Sequence, residues 1–376
     1  MNKVRVLHVI GRRPKGGIGT FLQNVTKYID KDRFQFDFLI NGSANPGQFD
    51  NKMLELGSKV YVLPELSYKS TSRYLKSLNE FYKTRNKYDI IHVHSPNIAV
   101  FNYIFARMHT SAKIAVHSHS TKFSDKTLNS IRNFILHLPI KFIADIKFAC
   151  NHASAEFMYG KKATNDGMVN IVKNGIEVDR YAFDSFIREN NRLELHASQS
   201  LIIGHVGAFV PVKNHGFLIE IFQEILKIEP NAILILVGDG ELFDTVYNEV
   251  SMLGINGSVR FLGRRYDVNE IMQALDAFVL PSKFEGMPLV GIEAQASGLP
   301  CFFSSSVSKE IEITEAVSFI ELDKNPYHWA INIIENTKKY SNFEYRSKAS
   351  KMVIDKKYDI IETVKEIEDA YLKNLR

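Results

Sequence analysis

The sequence predicts two α/β domains, each built on a parallel, doubly wound sheet. Three observations carry this. A chain of 376 residues is too long for one ordinary core. Its 45% hydrophobic and 24% charged residues give a globular balance, not a disordered or collagen-like one. β-Branched runs alternate with helical spacing along the whole chain, the pattern of parallel strands joined by crossover helices.

The first domain is read over residues 1–180. KVRVLHVI (3–10) is a buried strand, and the glycine-rich loop GRRPKGGIG (11–19) follows it. TFLQNVTKYI (20–29) has helical spacing through Phe21, Val25 and Ile29. FQFDFLI (34–40) and SKVYVLP (58–64) read as strands, and 68–87 as an amphipathic helix with a basic polar face. YDIIHVHS (88–95) and AKIAVHSHS (112–120) are strands with histidine-bearing tips, and two short strands near 145–149 and 169–173 close the unit. NGIEVDRY (174–181) leaves it, and the polar stretch 184–200 reads as linker plus a short helix. The second domain, 200–357, repeats the pattern with strands at 201–209, 232–238, 258–263, 276–282 and 299–305. A last helix spans 358–374. Two such domains facing each other would take ligands at the carboxyl ends of their strands.

No stretch approaches the roughly 18–20 uninterrupted apolar residues of a membrane span. The N-terminus turns basic after a few apolar residues, unlike a signal peptide, and two cysteines, Cys150 and Cys301, make neither a disulfide framework nor a zinc site. A cytoplasmic protein is expected. The net charge of +5 hides an asymmetry: residues 1–180 carry 27 Lys and Arg against 14 Asp and Glu, while the remainder is acidic. Domains of opposite charge suit different partners.

Two loops suit phosphate. Gly16 and Gly17 lie between the first strand and first helix, where bare amides favour an anion; no Lys-Ser/Thr follows, so this is not a Walker A loop, and G-x-G-x-x-G is absent. In PSKFEGMPLVGIEAQASGLP (281–300), Pro288 suits the first turn of a helix. The amides of Gly286, Met287, Leu289 and Val290, on either side of Pro288, would then be helix-start donors able to receive a diphosphate. Glu285 before the helix and Glu293 within it are separated by about 8–10 Å along the axis, so each would hold hydroxyls on one side of that diphosphate.

Glu285 and Glu293 at E-x7-E spacing, HVGAFVPVKNH, LVGDGEL, VRFLGRRYDV and SGLP resemble the retaining glycosyltransferases of family 4, especially those of bacterial capsular and exopolysaccharide synthesis. The resemblance runs from GGIGTF to SGLP. It implies the GT-B fold: two facing Rossmann-like domains, with the C-terminal helix, 358–376, crossing back to the N-terminal one. The N-terminal domain would bind acceptor, and 200–357 the nucleotide-sugar donor. Glu285 would hold donor-sugar hydroxyls, Glu293 the ribose, and Lys213 the diphosphate. Gly16 and Gly17 would close over the diphosphate, backbone at Gly263 to Tyr266 would meet the base, and His119 rather than His117 would sit beside the sugar. His119 and Glu285 are thus the catalytic candidates.

The sequence departs from the family at Ala208, where a basic residue commonly helps bind phosphate; Arg264 and Arg12 are candidate substitutes. Asp30-Lys31-Asp32 matches D-x-D but falls at a helix end and reads as a solvated turn. His92 and His94 share one strand face, with no third metal ligand evident at suitable spacing. Gly238-Asp239-Gly240 reads as a turn.

The expected activity is a metal-independent, retaining hexosyl transfer from a UDP-sugar to a polyprenyl-diphosphate-linked saccharide, without a cofactor. The basic helix with Lys69, Arg73, Lys76, Lys83, Arg85 and Lys87, and the basic–apolar stretch 126–147, would place the protein peripherally on the anionic inner face of the plasma membrane. No nucleic-acid motif accompanies the charge. The rival readings are a UDP-sugar epimerase or hydrolase of the same fold, and a degenerate transferase that activates a partner.

Overall fold

A computed structural model of the chain describes residues 3–14, 16–43, 45–67, 70–119 and 127–375, the side chains of 127–131 excepted. It divides into two compact units: residues 1–175 with 360–376, and residues 176–359.

In the first unit, seven strands form one parallel sheet: β1 (Val4–Ile10), β2 (Phe34–Asn41), β3 (Val60–Leu63), β4 (Ile90–Val93), β5 (Lys113–Ser118), β6 (Ile146–Ala149) and β7 (Asn170–Ile171). Their order is β3-β2-β1-β4-β5-β6-β7, so the direction of winding reverses between β1 and β4. In-register pairing sets His8 opposite His92, and His117 opposite Phe148. The inner strands are buried on both faces, which is why they read as continuous apolar runs, while the edge strands β3 and β7 are only partly buried.

One face packs under the helix Thr71–Thr84, whose Tyr74, Leu78, Phe81 and Tyr82 are all buried. The apolar side of this helix is therefore core and is not available to a lipid leaflet, contrary to the sequence reading; Lys69 lies outside the described residues. The other face is closed by the helix Ile360–Leu375, which inserts Ile360, Val364, Ile367 and Tyr371 beside Phe34, Phe36 and Phe148. The last helix thus belongs to the first unit, as the fold class requires. Asp30 is a capped turn, its Oδ1 accepting from the amides of Asp32 and Arg33, so the D-x-D resemblance is local hydrogen bonding.

The second unit holds six parallel strands: β8 (Ile202–Val206), β9 (Ile233–Val237), β10 (Val259–Gly263), β11 (Ala277–Leu280), β12 (Cys301–Ser304) and β13 (Val317–Ile320). Their order is β10-β9-β8-β11-β12-β13, reversing between β8 and β11. Gly238 leaves β9 with φ +141°, and a Cβ there would stand 2.0 Å from the Gly207 carbonyl oxygen, so the β8 and β9 loops pack backbone to backbone only because this residue is glycine.

The stretch read as a linker is part of this unit. Asp184 caps the helix Ser185–Glu194 by accepting from the amides of Phe186 and Ile187. Arg188 and Arg192 of that helix clasp Asp276, which also accepts from the Ile202 amide at 2.8 Å. The boundary consequently falls between Gly175 and Ile176, ahead of the polar segment. Asp276→Ala would strand two guanidinium groups in a nearly buried site, and a loss of about 3–5 kcal/mol is expected. Urea unfolding followed on the second unit checks it, with Asp276→Asn giving a smaller loss.

Candidate functional site

At the reversal point of the second sheet, the loops after β8 and β11 are stitched together. The Lys283 amide donates to the Val212 carbonyl at 2.8 Å, and the Asn214 side-chain amide to the Pro281 carbonyl at 3.2 Å. Asn214 sits in the left-handed region, φ 59°, between the 3-10 turn Pro211–Lys213 and the helix His215–Ile228. The stitching brings Lys213 Nζ to 2.7 Å from Glu285 Oε1, both side chains mostly buried. Two residues 72 positions apart, picked out separately in the sequence, form one ion pair.

Glu285 is itself held by its backbone, whose carbonyl accepts from the Ser308 amide at 3.1 Å in an isolated bridge with Val307. The neighbouring imidazoles add no charge: burial pushes His205 well below its ordinary value and His215 down to about 4, with Lys213 repelling a proton from both. Lys213 is thus the positive charge aimed at this spot, although its ion pair already engages it.

Glu285 is followed by exposed Gly286, half-buried Met287 and buried Pro288. Pro288 occupies the N-cap of the helix Leu289–Ala296, with φ −72° and ψ 111°, rather than its first turn. No acidic side chain lies in that first turn, and the Leu289 and Val290 amides start the helix without an intrahelical acceptor. Glu293 lies one turn on. Burial lifts its carboxyl to about 7, while the Tyr181 hydroxyl hydrogen-bonds it and Arg180 attracts its charged form. Tyr181 and Arg180 come from NGIEVDRY, which the sequence reading treated as an exit from the first domain; the only signal was a tyrosine and an arginine in an otherwise connecting segment.

Arg264 does not stand in for the missing cation at Ala208 as an unpaired charge. It is exposed, and its Nη2 donates to both carboxylate oxygens of Asp239, at 2.9 and 3.1 Å. Arg12, on the first unit, is exposed and lies 3.4 Å from Glu65.

The first unit brings a different set together at its own reversal point. Gly16, with φ +67°, is the N-cap of the helix Gly17–Tyr28, so the glycines form the helix start three residues earlier than helical spacing suggested. Beside β1 and β4 lies a cavity of about 840 Å³ lined by Arg12, Arg13, Ile18, Leu66, His94 and Phe101 among others. Arg13 is fixed there by Asp50, Nε to Oδ2 2.6 Å.

Five imidazoles line up across β1, β4 and β5. His8 Nδ1 is 2.9 Å from His94 Nε2, and His94 Nδ1 is 3.0 Å from His119 Nε2. His92 Nδ1 meets the Tyr371 hydroxyl at 2.6 Å, and His117 stacks 4.0 Å from His119. His117 is wholly buried; the His119 ring is part-buried, with its Nδ1 shielded from solvent and without a partner in the protein. The third partner that strand spacing did not reveal for His92 and His94 is His8, from a strand 84 residues away; His8, His92 and His94, and also His94, His117 and His119, have ring nitrogens within 4.8 Å of one another. Burial keeps all five neutral, His119 down to about 4 and His8 to about 3.

Two Rossmann-like units with a terminal helix returned to the first are the architecture of the GT-B fold class. Residues 187–349 match the family model for Glycosyl transferases group 1, and residues 15–180 that for Glycosyltransferase Family 4. The chain belongs to the family 4 glycosyltransferases. It is 29% identical to the putative glycosyltransferase EpsF of Bacillus subtilis over 82% of this chain and 81% of that one. It is 26% identical to an Escherichia coli protein, the UDP-Gal:alpha-D-GlcNAc-diphosphoundecaprenol alpha-1,3-galactosyltransferase, over 99% and 97%. The capsular polysaccharide biosynthesis glycosyltransferase CapH of Staphylococcus aureus is 24% identical over 98% and 99%. Among solved structures, Anabaena HepE in complex with UDP-glucose superposes with a TM-score of 0.77 at 19% identity, over 98% and 99% of the two chains, a likeness of fold.

Glu293 makes a test independent of any substrate. Its folded carboxyl keeps a proton that the unfolded chain releases near 4.5, so the stability it contributes is complete below that pH and is lost as pH rises through about 7. Thermal unfolding of Glu293→Gln against the wild type is expected to show the variant gaining relative stability from pH 4.5 to 7 and no further gain above.

Proposed function

We propose that the protein is a retaining hexosyltransferase that moves a hexose or N-acetylhexosamine from a UDP-sugar to a polyprenyl-diphosphate-linked saccharide in capsular or exopolysaccharide synthesis. The observation that carries this reading is the Lys213–Glu285 pair at 2.7 Å beside the start of the helix Leu289–Ala296. A diphosphate brings two charges that compete with Glu285 for Lys213 and accept from the free amides after Pro288. Release of Lys213 leaves the Glu285 carboxylate to accept from donor-sugar hydroxyls. Leaving-group charge then grows against a fixed ammonium and fixed dipoles, which stabilises the transition state more than the bound substrate. Glu293 accepts from the ribose hydroxyls and His119 binds beside the sugar, as the family resemblance has it. The acceptor oxygen attacks the anomeric carbon from the leaving-group face as the bond to the diphosphate breaks, and the departing phosphate oxygen takes the acceptor's proton. Configuration is retained, no metal takes part, and activity persists in chelator.

The acceptor reading rests on the E. coli relative's lipid-diphosphate acceptor and on the first unit's cavity, where Arg12 and Arg13 accompany apolar Ile18, Leu66 and Phe101. A diphosphate joined to a hydrocarbon chain needs both kinds of lining. Peripheral membrane contact is carried by the segment around 134–142, where Phe134, Ile135, Leu138 and Phe142 are exposed next to Lys141. Among the described residues no helix is long and apolar enough to cross a membrane. Ala208 supports the second reading, a degenerate transferase that serves a partner; Ala208→Arg raising turnover strongly would favour it.

The test is UDP release from UDP-glucose, UDP-galactose and their N-acetylated forms, with and without lipid-linked acceptor. Transfer from one donor, raised by acceptor and abolished in Glu285→Ala, is expected; donor consumption indifferent to acceptor would mark an epimerase or hydrolase instead. Calorimetry with UDP alone separates the two members of the pair. Lys213→Ala is expected to weaken binding by about tenfold or more, the loss of one charge-assisted contact. Glu285→Ala should leave UDP affinity equal or tighter, because the competing carboxylate is gone.

A further inference from the structure

Three buried imidazoles of the first unit converge from two strands. His8 lies on β1, His92 on β4 and His94 just past its end. One ring nitrogen of each lies within 4.8 Å of the other two, and none of the three residues is more than 3% exposed. His8 Nδ1 and His94 Nε2 stand 2.9 Å apart, near the roughly 3.3 Å that two nitrogens take on one tetrahedral zinc. The Tyr371 hydroxyl holds His92 at its Nδ1, 2.6 Å away, which leaves Nε2 as the nitrogen free to coordinate. That Nε2 is buried without a partner among the described residues, beside the rings of Phe148 and His8. A polar atom orphaned in such a place calls for an explanation.

The second nitrogen of each ring decides whether an ion fits. A neutral imidazole that coordinates through one nitrogen carries its proton on the other, and that N–H needs an acceptor. With an ion on His8 Nδ1, His92 Nε2 and His94 Nε2, the His92 N–H falls on the Tyr371 oxygen. The His94 N–H falls on His119 Nε2, 3.0 Å away. His119 Nδ1, shielded and without a partner, then stays a bare nitrogen. Of the three ligands, the His8 N–H alone lacks an oxygen or nitrogen; its ring lies 4.4 Å from that of Phe36, inclined at 64°, and an aromatic ring is a weak acceptor. The neighbouring set His94, His117 and His119 also brings its nitrogens within 4.8 Å. An ion between the facing nitrogens of His94 and His119 would put a proton on His119 Nδ1, where no acceptor stands, and either nitrogen of His117 lacks one too. The first set is the one whose outer hydrogen bonds are already built.

The donors name the ion. Three imidazoles suit zinc or a neighbouring first-row metal, whereas magnesium and calcium take oxygen ligands. A three-histidine set leaves the fourth position to water, and hydroxide there would halve the buried charge. His94 also lines the cavity beside β1 and β4, which gives the ion and its water a way in. We propose that His8, His92 and His94 form a zinc site, with Tyr371 and His119 as its outer hydrogen-bond partners. The ion ties β1 to β4 across the winding reversal and, through Tyr371, to the terminal helix. Its role is structural, it lies wholly within the first unit, and it is independent of the donor reading and of sugar transfer.

The experiment is zinc titration of the full chain, untagged and stripped of metal, by calorimetry at neutral pH, with cobalt as a spectroscopic probe. One tight equivalent of zinc is expected, together with the intense visible bands of four-coordinate cobalt without thiolate charge transfer. His8→Phe and His92→Phe, which keep a ring of similar size, should each weaken zinc binding by about a hundredfold or more, and Tyr371→Phe, which removes an outer acceptor, by about tenfold. His117→Phe should change it little. Zinc at a hundredfold excess over its Kd should multiply the folding equilibrium constant of the wild type by about a hundredfold, read as a raised Tm. Where a phenylalanine variant fails to fold, the wild-type cobalt spectrum and the zinc-dependent Tm still decide. Weak six-coordinate cobalt bands, no rise in Tm, or tight binding that survives in His92→Phe would mark surface histidines alone and overturn the proposal. Binding lost in His117→Phe but kept in His8→Phe would move the ion to the neighbouring set and overturn it equally.

Discussion

A parallel strand can be re-entered only from the end where its predecessor began, so every connection in these sheets crosses a face and returns. When the winding changes direction, two loops leave adjacent strands toward opposite faces and a crevice opens at their carboxyl ends. Both units obey this constraint, between β1 and β4 and between β8 and β11. The glycine loop, His94 and the cavity lie at the first crevice; Lys213 and Glu285 lie at the second. Each chemically able group is carried by a strand end or a loop pinned by backbone hydrogen bonds, so little conformational freedom remains to be lost when a ligand arrives.

The two crevices differ in how histidine and charge are combined. In the second unit a lysine is already matched by a glutamate, and two nearby histidines stay neutral under the influence of burial and of that lysine. A diphosphate would add its two charges to a pair that is neutral overall, and Lys213 with the helix-start amides would offset them, which limits the desolvation cost. In the first unit five imidazoles carry no charge at all, and their polarity resides in which nitrogen holds a proton. The first crevice holds its charge elsewhere, on Arg12 and Arg13, which face Glu65 and Asp50.

Legibility in the sequence followed the range of the interaction. Strands buried on both faces announce themselves by composition, and Glu285, Pro288 and Glu293 lie close enough together for spacing to group them. Partners far apart in sequence did not show: His8 joins His92 and His94 through sheet register, and Tyr181 reaches Glu293 from a segment that looked like a connector. The helix Thr71–Thr84 illustrates another limit, since an amphipathic pattern states that one side is buried but not in what. Here it is buried in protein. The linker part of the reading of 184–200 failed for a related reason: the helix is polar because it docks through Arg188 and Arg192 onto Asp276 and a set of backbone carbonyls.

The return of the helix Ile360–Leu375 to the first unit makes the second unit, topologically, an insertion within the first. During synthesis the ribosome delivers every residue of the second unit before it delivers this helix. The second unit can therefore complete its core while still tethered, whereas the first emerges early with the face formed by Phe34, Phe36 and Phe148 uncovered and must wait for the end of translation to close it. The order in which the two units mature is the reverse of the order in which they are made, and the earlier-made unit is the one exposed to chaperones and to premature termination.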